Sequence, residues 1–180
     1  EGSMDQAKKL IELAKEGGAD AAKFQSYKAD TLASKNSPAY WDTTKEPTKS
    51  QHELFQKYDQ FEPEDYITLA NYCEKIDIDF LSTPFDDQAI EFLNSIVPFF
   101  KIASADITDI PLIKYVAEKK LPIFISTGMA NKEEIRYAID SIQDKGNHEI
   151  IIMAIRNLKQ IYPNNIYTCV GYLTLIHNCR

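Results

Sequence analysis

Phe99-Phe100-Lys101-Ile102-Ala103-Ser104 is a short apolar run that carries one lysine and ends in a hydroxyl. Four similar runs, each next to a stretch of helical periodicity, read Ala21-Ala22-Lys23-Phe24-Gln25, Phe80-Leu81-Ser82-Thr83-Pro84, Ile123-Phe124-Ile125-Ser126-Thr127-Gly128 and Ile150-Ile151-Ile152-Met153. This βαβα alternation predicts an α/β fold with a parallel sheet and helices outside it. Because the runs do not alternate with polar residues, we expect both sheet faces to be buried.

The turn and capping signals place the elements more closely. Strands are predicted over 20–25, 78–81, 99–103, 122–126 and 149–153, and helices over 3–16, 48–57, 63–75, 87–95, 111–119 and 132–145. Ser3 and Asn131 are the expected N-caps of the first and last of these helices. The polar segment 26–61 is long enough to predict a lid or binding loop. A helical stretch over 154–161 and a weak strand over 166–176 complete the pattern.

The composition excludes several classes of protein. With 44% apolar and 26% charged residues, the chain is that of a folded globular protein rather than a disordered one. Its net charge of −7, without a basic tract, argues against nucleic-acid or anionic-membrane partners. No apolar run approaches the roughly 20 residues of a membrane span, and we expect no secretory signal. Three cysteines without disulfide or metal spacing predict reduced thiols in a cytoplasmic protein.

Two lysines, Lys23 and Lys101, stand inside otherwise apolar runs. Burying an ammonium group without a partner is costly, so each amine needs a carboxylate of the protein or a bound anion. An internal ion pair, or a side chain that reaches back to solvent, explains a single lysine equally well. Because both lysines occupy equivalent strand ends, we predict that they bind one anionic substrate together.

Hydroxyl side chains occur where the apolar runs end, at Ser82, Thr83, Ser104 and Ser126. Hydroxyls and backbone amides at the junction of a strand and a helix bind phosphate well, helped by the helix N-terminus. Each hydroxyl taken alone is explained at least as well by helix capping or a local turn. Their repetition on successive strands predicts a phosphate site at the carboxyl ends of the strands, which is the active-site rim of a β/α barrel.

Gln25 and Asp106 extend this predicted site. Gln25 lies two residues beyond Lys23 and is predicted to line the same pocket. Asp106 lies two residues beyond Ser104, where it would accept hydrogen bonds from a sugar hydroxyl or act as an acid or base. Capping of the helix over 111–119 is the alternative role for Asp106.

The three histidines, His52, His148 and His177, show no metal-ligand spacing with one another or with cysteines and carboxylates. No residue of this chain is therefore assigned as a metal ligand from its own pattern.

Four stretches resemble, in order and spacing, motifs of the sialic acid synthase family, which includes N-acetylneuraminate, legionaminic acid and pseudaminic acid synthases. They read Gly18-Ala19-Asp20-Ala21-Ala22-Lys23-Phe24-Gln25, Phe80-Leu81-Ser82-Thr83-Pro84-Phe85-Asp86, Lys101-Ile102-Ala103-Ser104-Ala105-Asp106 and Ile125-Ser126-Thr127-Gly128-Met129. Ser50-Gln51-His52-Glu53-Leu54 is similar to a short helix in the first long loop of these enzymes. The resemblance covers residues 1–153.

The resemblance implies a (β/α)8 TIM barrel of aldolase type and a transferase that condenses phosphoenolpyruvate with an N-acetylated amino sugar, such as N-acetylmannosamine, releasing phosphate. It further implies a divalent manganese or magnesium ion that polarises the sugar aldehyde, and a homodimer. By similarity, phosphoenolpyruvate would be held by Lys23, Lys101, Ser104 and Ser126, with support from Ser82 and Thr83. Asp106 occupies the family's acidic sugar-binding position.

Other functional residues of that family have no counterpart here: the catalytic glutamate of the first strand, both metal histidines and the C-terminal antifreeze-like domain. We therefore expect an incomplete barrel over residues 1–165 and a tail over 166–180, with catalytic residues and metal ligands unassigned. Two alternatives stay open. One is another phosphoenolpyruvate or phosphosugar barrel enzyme, either resembling 3-deoxy-heptulosonate phosphate synthase or an aldolase that uses a lysine as nucleophile. The other is a non-catalytic remnant that binds phosphate-bearing ligands or a protein partner.

Overall fold

The computed structural model describes residues 2–153, so the predicted helix over 154–161, the predicted strand over 166–176 and the tail lie outside the described residues. Five strands alternate with helices: β1 (Ala21–Ser26), β2 (Asp79–Pro84), β3 (Phe100–Ile102), β4 (Ile123–Ser126) and β5 (Ile150–Met153). The helices are α1 (Met4–Glu16), α2 (Ala29–Leu32), α3 (Gln51–Tyr58), α4 (Pro63–Lys75), α5 (Asp87–Leu93), α6 (Ile110–Glu118) and α7 (Lys132–Asp144).

All strand pairs are parallel, as the βαβα pattern predicts. β1 pairs with β2, and β3, β4 and β5 form a second sheet in that order. β2 packs beside β3, so the five strands follow one another in chain order. This is the order of consecutive strands in a β/α barrel. The part of the chain that the structure describes forms five strands, and the complete eight-stranded barrel is not confirmed.

The hydrophobic core lies between the sheet and its helices. Phe100, Ile102, Ile123 and Ile125 point towards the helices and are at most 1% exposed. They meet apolar residues of α6 and α7, namely Leu112, Ile113, Val116, Ala117, Ile135, Ala138 and Ile142. Residues of the opposite parity on β3 to β5 are only half-buried. The expectation that both faces are buried is therefore met on β2, where Phe80 to Pro84 are all buried, whereas on β3 to β5 burial is confined to the helix side.

Short-range capping explains where the helices begin. The Ser3 side chain accepts a hydrogen bond from the backbone N–H of Gln6, and Asn131 forms a capping box with Glu134. These two predicted caps are confirmed. Asp109, rather than Asp106, caps α6, because its side chain accepts from the Leu112 N–H at 3.1 Å. The alternative capping role of Asp106 is therefore wrong.

Two further differences from the predicted elements affect the site. β2 extends to Pro84, so Ser82 and Thr83 lie inside the strand rather than at its end. The long loop contains the unpredicted helix α2, and α3 begins after the N-cap Ser50. Within residues 2–153, no helix is long and apolar enough to cross a membrane.

Candidate active site

The register of β1 and β2 decides which polar side chains share a side of the sheet. Lys23 pairs with Leu81, and Gln25 pairs with Thr83. Paired residues of neighbouring parallel strands point to the same side, and side chains alternate along each strand. The side that carries Lys23, Gln25, Thr83, Lys101 and Ser126 is here called the pocket face. The opposite side, which packs against the helices, is called the helix face.

Lys101 is fixed at the bottom of the pocket face by two hydrogen bonds. Its Nζ donates to the Ile102 carbonyl oxygen at 2.7 Å and to Ser126 Oγ at 2.6 Å. Burial, reinforced by the charge of Lys23 and opposed by Asp106, lowers the pKa of Lys101 from its ordinary 10.5 to about 8. The structure thus brings together four of the predicted substrate-binding residues, since Lys101 contacts Ser126, and Lys23 and Asp106 lie near enough to change its pKa.

Lys23 contributes the second amine. Burial lowers its pKa below the ordinary value. Within residues 2–153, neither Lys23 nor Lys101 forms an ion pair with a carboxylate. The alternative explanation of these lysines by an internal ion pair is therefore not observed in the described chain. Two part-buried amines without an ion-pair partner make a site for an anion.

Ser104 and Asp106 lie on the turn that follows β3, where the Asp106 N–H donates to the Ala103 carbonyl at 3.1 Å. Burial and the nearby Asp109 raise the pKa of the Asp106 carboxyl, and Lys101 partly offsets this effect. One carboxyl oxygen of Asp106, Oδ2, is buried and has no hydrogen-bond partner among the described residues. A buried polar atom of this kind requires a partner, and a substrate hydroxyl would supply one.

Ser82 does not point into the pocket. It pairs in register with Phe24, on the helix face, and its Oγ lies 2.7 Å from Ser26 Oγ in the interior. Next to this pair, the Tyr66 hydroxyl donates to the Gln25 carbonyl at 2.9 Å, and burial raises the pKa of Tyr66 to about 12. This orientation corrects the prediction that Ser82 points towards the substrate. Of the two neighbouring hydroxyl residues, Thr83 lies on the pocket face and Ser82 on the helix face.

Sequence reasoning missed the roles of Ser26 and Tyr66. A serine at the end of a buried strand is a weak signal, and Tyr66 fits the apolar stripe of α4 without a polar role. The alternation along β2 shows that Ser82 and Thr83 point to opposite sides. It does not show which of them faces Lys23, because that depends on the register with β1.

The long loop is attached beside the pocket by a third lysine. Lys28 Nζ donates to Asp59 Oδ1 at 3.1 Å and to Glu62 Oε1 at 2.9 Å. Burial lowers the pKa of Lys28, but the hydrogen bonds with Glu62 and Asp59 outweigh it and raise the pKa overall. In the same loop, His52 Nε2 lies 2.8 Å from Asp30 Oδ1. The loop is therefore held by side-chain pairs that its sequence did not indicate.

The residues described do not fit a metal site. Among residues 2–153, no group of three or more His, Cys, Asp or Glu side chains could hold an ion. A groove of about 740 Å³ lies at the opposite end of β1 and β2, between α1 and α4, and contains none of the predicted substrate-binding residues. The chemistry-bearing side chains lie instead at the carboxyl ends, which is where barrel enzymes act.

Five consecutive parallel strands separated by helices, with an amine-lined site at their carboxyl ends, define an α/β fold of the type that forms β/α barrels. The model of the NeuB family matches residues 10–170, and the chain belongs to this family.

The chain is 41% identical over 145 residues to an N,N'-diacetyllegionaminic acid synthase of Legionella pneumophila, covering 79% of this chain and 40% of that protein. A crystal structure of the N-acetylneuraminic acid synthetase of Leptospira borgpetersenii, in complex with citrate, superimposes with a TM-score of 0.73 at 28% identity. The superposition covers 91% of this chain and 52% of that one. A DAHP synthase of Thermotoga maritima superimposes with a TM-score of 0.61 at 11% identity, over 89% of this chain and 40% of that one. At this low identity, the likeness shows a shared fold alone. The chain thus spans about half or less of the length of these proteins.

Proposed function

We propose that this protein condenses phosphoenolpyruvate with an N-acetylated amino sugar, such as N-acetylmannosamine, to give a nonulosonic acid and free phosphate. The observation that carries the proposal is the pair of half-buried amines, Lys23 on β1 and Lys101 on β3, which share the pocket face and form no ion pair with a carboxylate within residues 2–153. Membership of the NeuB family, with relatives named as legionaminic and N-acetylneuraminic acid synthases, supports the reaction class.

In this proposal the two ammonium groups neutralise the phosphate and carboxylate of phosphoenolpyruvate. Ser126 Oγ, which is 2.6 Å from Lys101 Nζ, orients that amine, while Thr83, Ser104 and Gln25 supply further polar contacts. Preorganised donors of this kind stabilise a highly charged substrate without reorganisation during the reaction. The acidic side chain of Asp106 accepts a hydrogen bond from the sugar.

The condensation is balanced without a redox step. Carbon 3 of phosphoenolpyruvate forms a bond with the aldehyde carbon of the open-chain sugar, whose oxygen takes up a proton. Water adds to the cationic carbon 2 and loses a proton, and cleavage of the carbon–oxygen bond then releases phosphate and leaves the ketone of the product. The residues described bind and orient phosphoenolpyruvate in this scheme, and they include no assigned general base.

A divalent metal ion remains part of the proposal because it would polarise the sugar aldehyde. Since the described residues do not fit such an ion, none of the steps assigned to them depends on it. A homodimer and a cytoplasmic location are also proposals. The cytoplasmic location is supported by Cys73, which is a buried free thiol, as expected in a reducing compartment.

The test is phosphate release from phosphoenolpyruvate with N-acetylmannosamine and manganese, with and without a chelator. Release that depends on the sugar and the metal is the expected result, and Lys101→Ala should abolish it. Phosphoenolpyruvate binding without release, for every amino sugar offered to the intact protein, would instead support the non-catalytic alternative. Absence of phosphoenolpyruvate binding would overturn the proposed site.

A further inference from the structure

The Lys101 amine has two hydrogen-bond acceptors, and both are neutral. They are the Ile102 carbonyl oxygen at 2.7 Å and Ser126 Oγ at 2.6 Å. A charged ammonium group has three N–H donors, so one of them lacks a protein partner among residues 2–153. A neutral amine has two N–H donors, which these acceptors satisfy, and its lone pair then points away from both. The geometry therefore fits an amine whose lone pair is free to react.

We propose that neutral Lys101 is a nucleophile that forms an imine with small α-keto acids, of which pyruvate is the simplest. This reactivity goes beyond the proposed condensation, since it needs neither an amino sugar nor release of phosphate. The proposed ligand shares a carboxylate with phosphoenolpyruvate but presents a ketone where the latter carries an enol phosphate. Lys23, the second amine on the pocket face, would pair with that carboxylate.

The bond changes are those of a simple condensation. The Nζ lone pair of Lys101 adds to the keto carbon, and the resulting carbinolamine loses its hydroxyl as water while the nitrogen loses a proton. One amine and one ketone thus give one imine and one water, and nothing is oxidised or reduced. The unpaired Oδ2 of Asp106, on a carboxyl whose pKa is raised mainly by burial, marks a group suited to donate the proton that expels water.

The charged groups around Lys101 support its neutral form. Burial and Lys23 lower its pKa to about 8, against the opposing effect of Asp106. At pH 8, about half of the Lys101 amines are therefore neutral. Lys28, also partly buried, offers the contrast within the same chain, because Asp59 and Glu62 hold it in the charged form. A lysine with carboxylate partners is a poor nucleophile at this pH.

The experiment is reductive trapping of the intact protein with pyruvate and cyanoborohydride at pH 8, followed by mass spectrometry and peptide mapping. A trapped lysine gains the mass of pyruvate less one oxygen atom. We expect at least about tenfold more label on the Lys101 peptide than on the Lys28 peptide, because the neutral fraction falls tenfold per pH unit below the pKa. Phosphoenolpyruvate should protect Lys101, and labelling should rise from pH 6 through 8 and level off above about pH 9.

Lys101→Arg, checked for folding by circular dichroism, keeps the charge and should lose the specific label. Peptide mapping of the unmodified protein gives the same information if that variant does not fold. Equal labelling of Lys101 and Lys28, or no label on Lys101, would overturn the proposal. Either result would leave the condensation untouched, since phosphate release is measured separately. Specific labelling without phosphate release would support the imine chemistry and contradict the condensation.

Discussion

The two faces of the sheet both carry polar groups near the carboxyl ends of the strands, but neutral hydroxyls pair on the helix face, whereas amines without an ion-pair partner lie on the pocket face. On the helix face, Ser26 and Ser82 bond to each other at 2.7 Å, and Tyr66 bonds to a backbone carbonyl at 2.9 Å. On the pocket face, Lys23 and Lys101 form no ion pair within residues 2–153, and burial lowers the pKa of both. Satisfied buried polar groups stabilise a fold, whereas desolvated charges without partners mark a binding site.

This comparison predicts that the two faces respond oppositely to substitution. Changes on the helix face should reduce stability and leave ligand affinity alone. Changes on the pocket face should reduce affinity and leave stability unchanged or improved, because stabilising active sites commonly costs function. Four measurements test this division.

The largest effect is expected for Lys101→Met, which keeps much of the side-chain volume and removes the charge. Loss of a charge-assisted hydrogen bond costs roughly 1.5–3 kcal/mol, so phosphoenolpyruvate affinity should fall by about 10- to 150-fold. The midpoint of thermal unfolding should stay constant or rise, because a desolvated charge is removed. Lys28→Met is the matched control, and its affinity for phosphoenolpyruvate should stay within about twofold of the unmodified protein.

Unchanged affinity in Lys101→Met, measured by calorimetric titration, would contradict the assignment of the pocket face. A large loss of stability in the same variant would show that Lys101 has a structural role instead.

The next effect is on the pH dependence of stability. The pKa of Lys101 is about 8 in the folded protein and about 10.5 when unfolded, so the unfolded chain binds more protons between these values. Stability should therefore gain a contribution as the pH rises from 8 to 10.5, and that contribution should be absent in Lys101→Met. Chemical denaturation at a series of pH values measures it, and identical profiles for both proteins would refute the lowered pKa.

Ser82→Ala tests the helix face. Removing one partner of the buried Ser26–Ser82 pair should lower the free energy of unfolding by about 1–3 kcal/mol, while phosphoenolpyruvate affinity stays within about twofold. Ser126→Ala is the matched serine on the pocket face, where it holds Lys101. Its effect should be the reverse, with little loss of stability and an affinity loss of roughly tenfold. If both variants reduced affinity equally, the assignment of Ser82 to the helix face would fail.

The smallest effect is expected for Tyr66→Phe, which removes one hydroxyl and keeps the ring in place. Its hydrogen bond to the Gln25 carbonyl contributes about 1 kcal/mol, and the free energy of unfolding should fall by that amount. Urea denaturation resolves a change of this size. No change would mean that the carbonyl finds another donor when the hydroxyl is removed.

Much of this architecture was predictable from local sequence. The apolar runs located all five described strands, and the caps Ser3 and Asn131 located two helix starts, because these signals act over a few residues. The prediction that Lys23 and Lys101 lie at one site followed from their equivalent positions in two β/α units. The long loop was less predictable: α2 and the attachment of Lys28 to Asp59 and Glu62 depend on residues about 30 positions apart in the chain.

The sequence by itself determined the parallel β/α order, the family and the presence of buried amines, because periodicity and motifs are properties of neighbouring residues. Only the tertiary structure decided that Thr83 faces the pocket while Ser82 pairs with Ser26 behind it. Side chains alternate along a strand, so a shift of one residue in the β1–β2 register would exchange their roles. Register results from the packing of both strands against the helices, which no local pattern in β2 records.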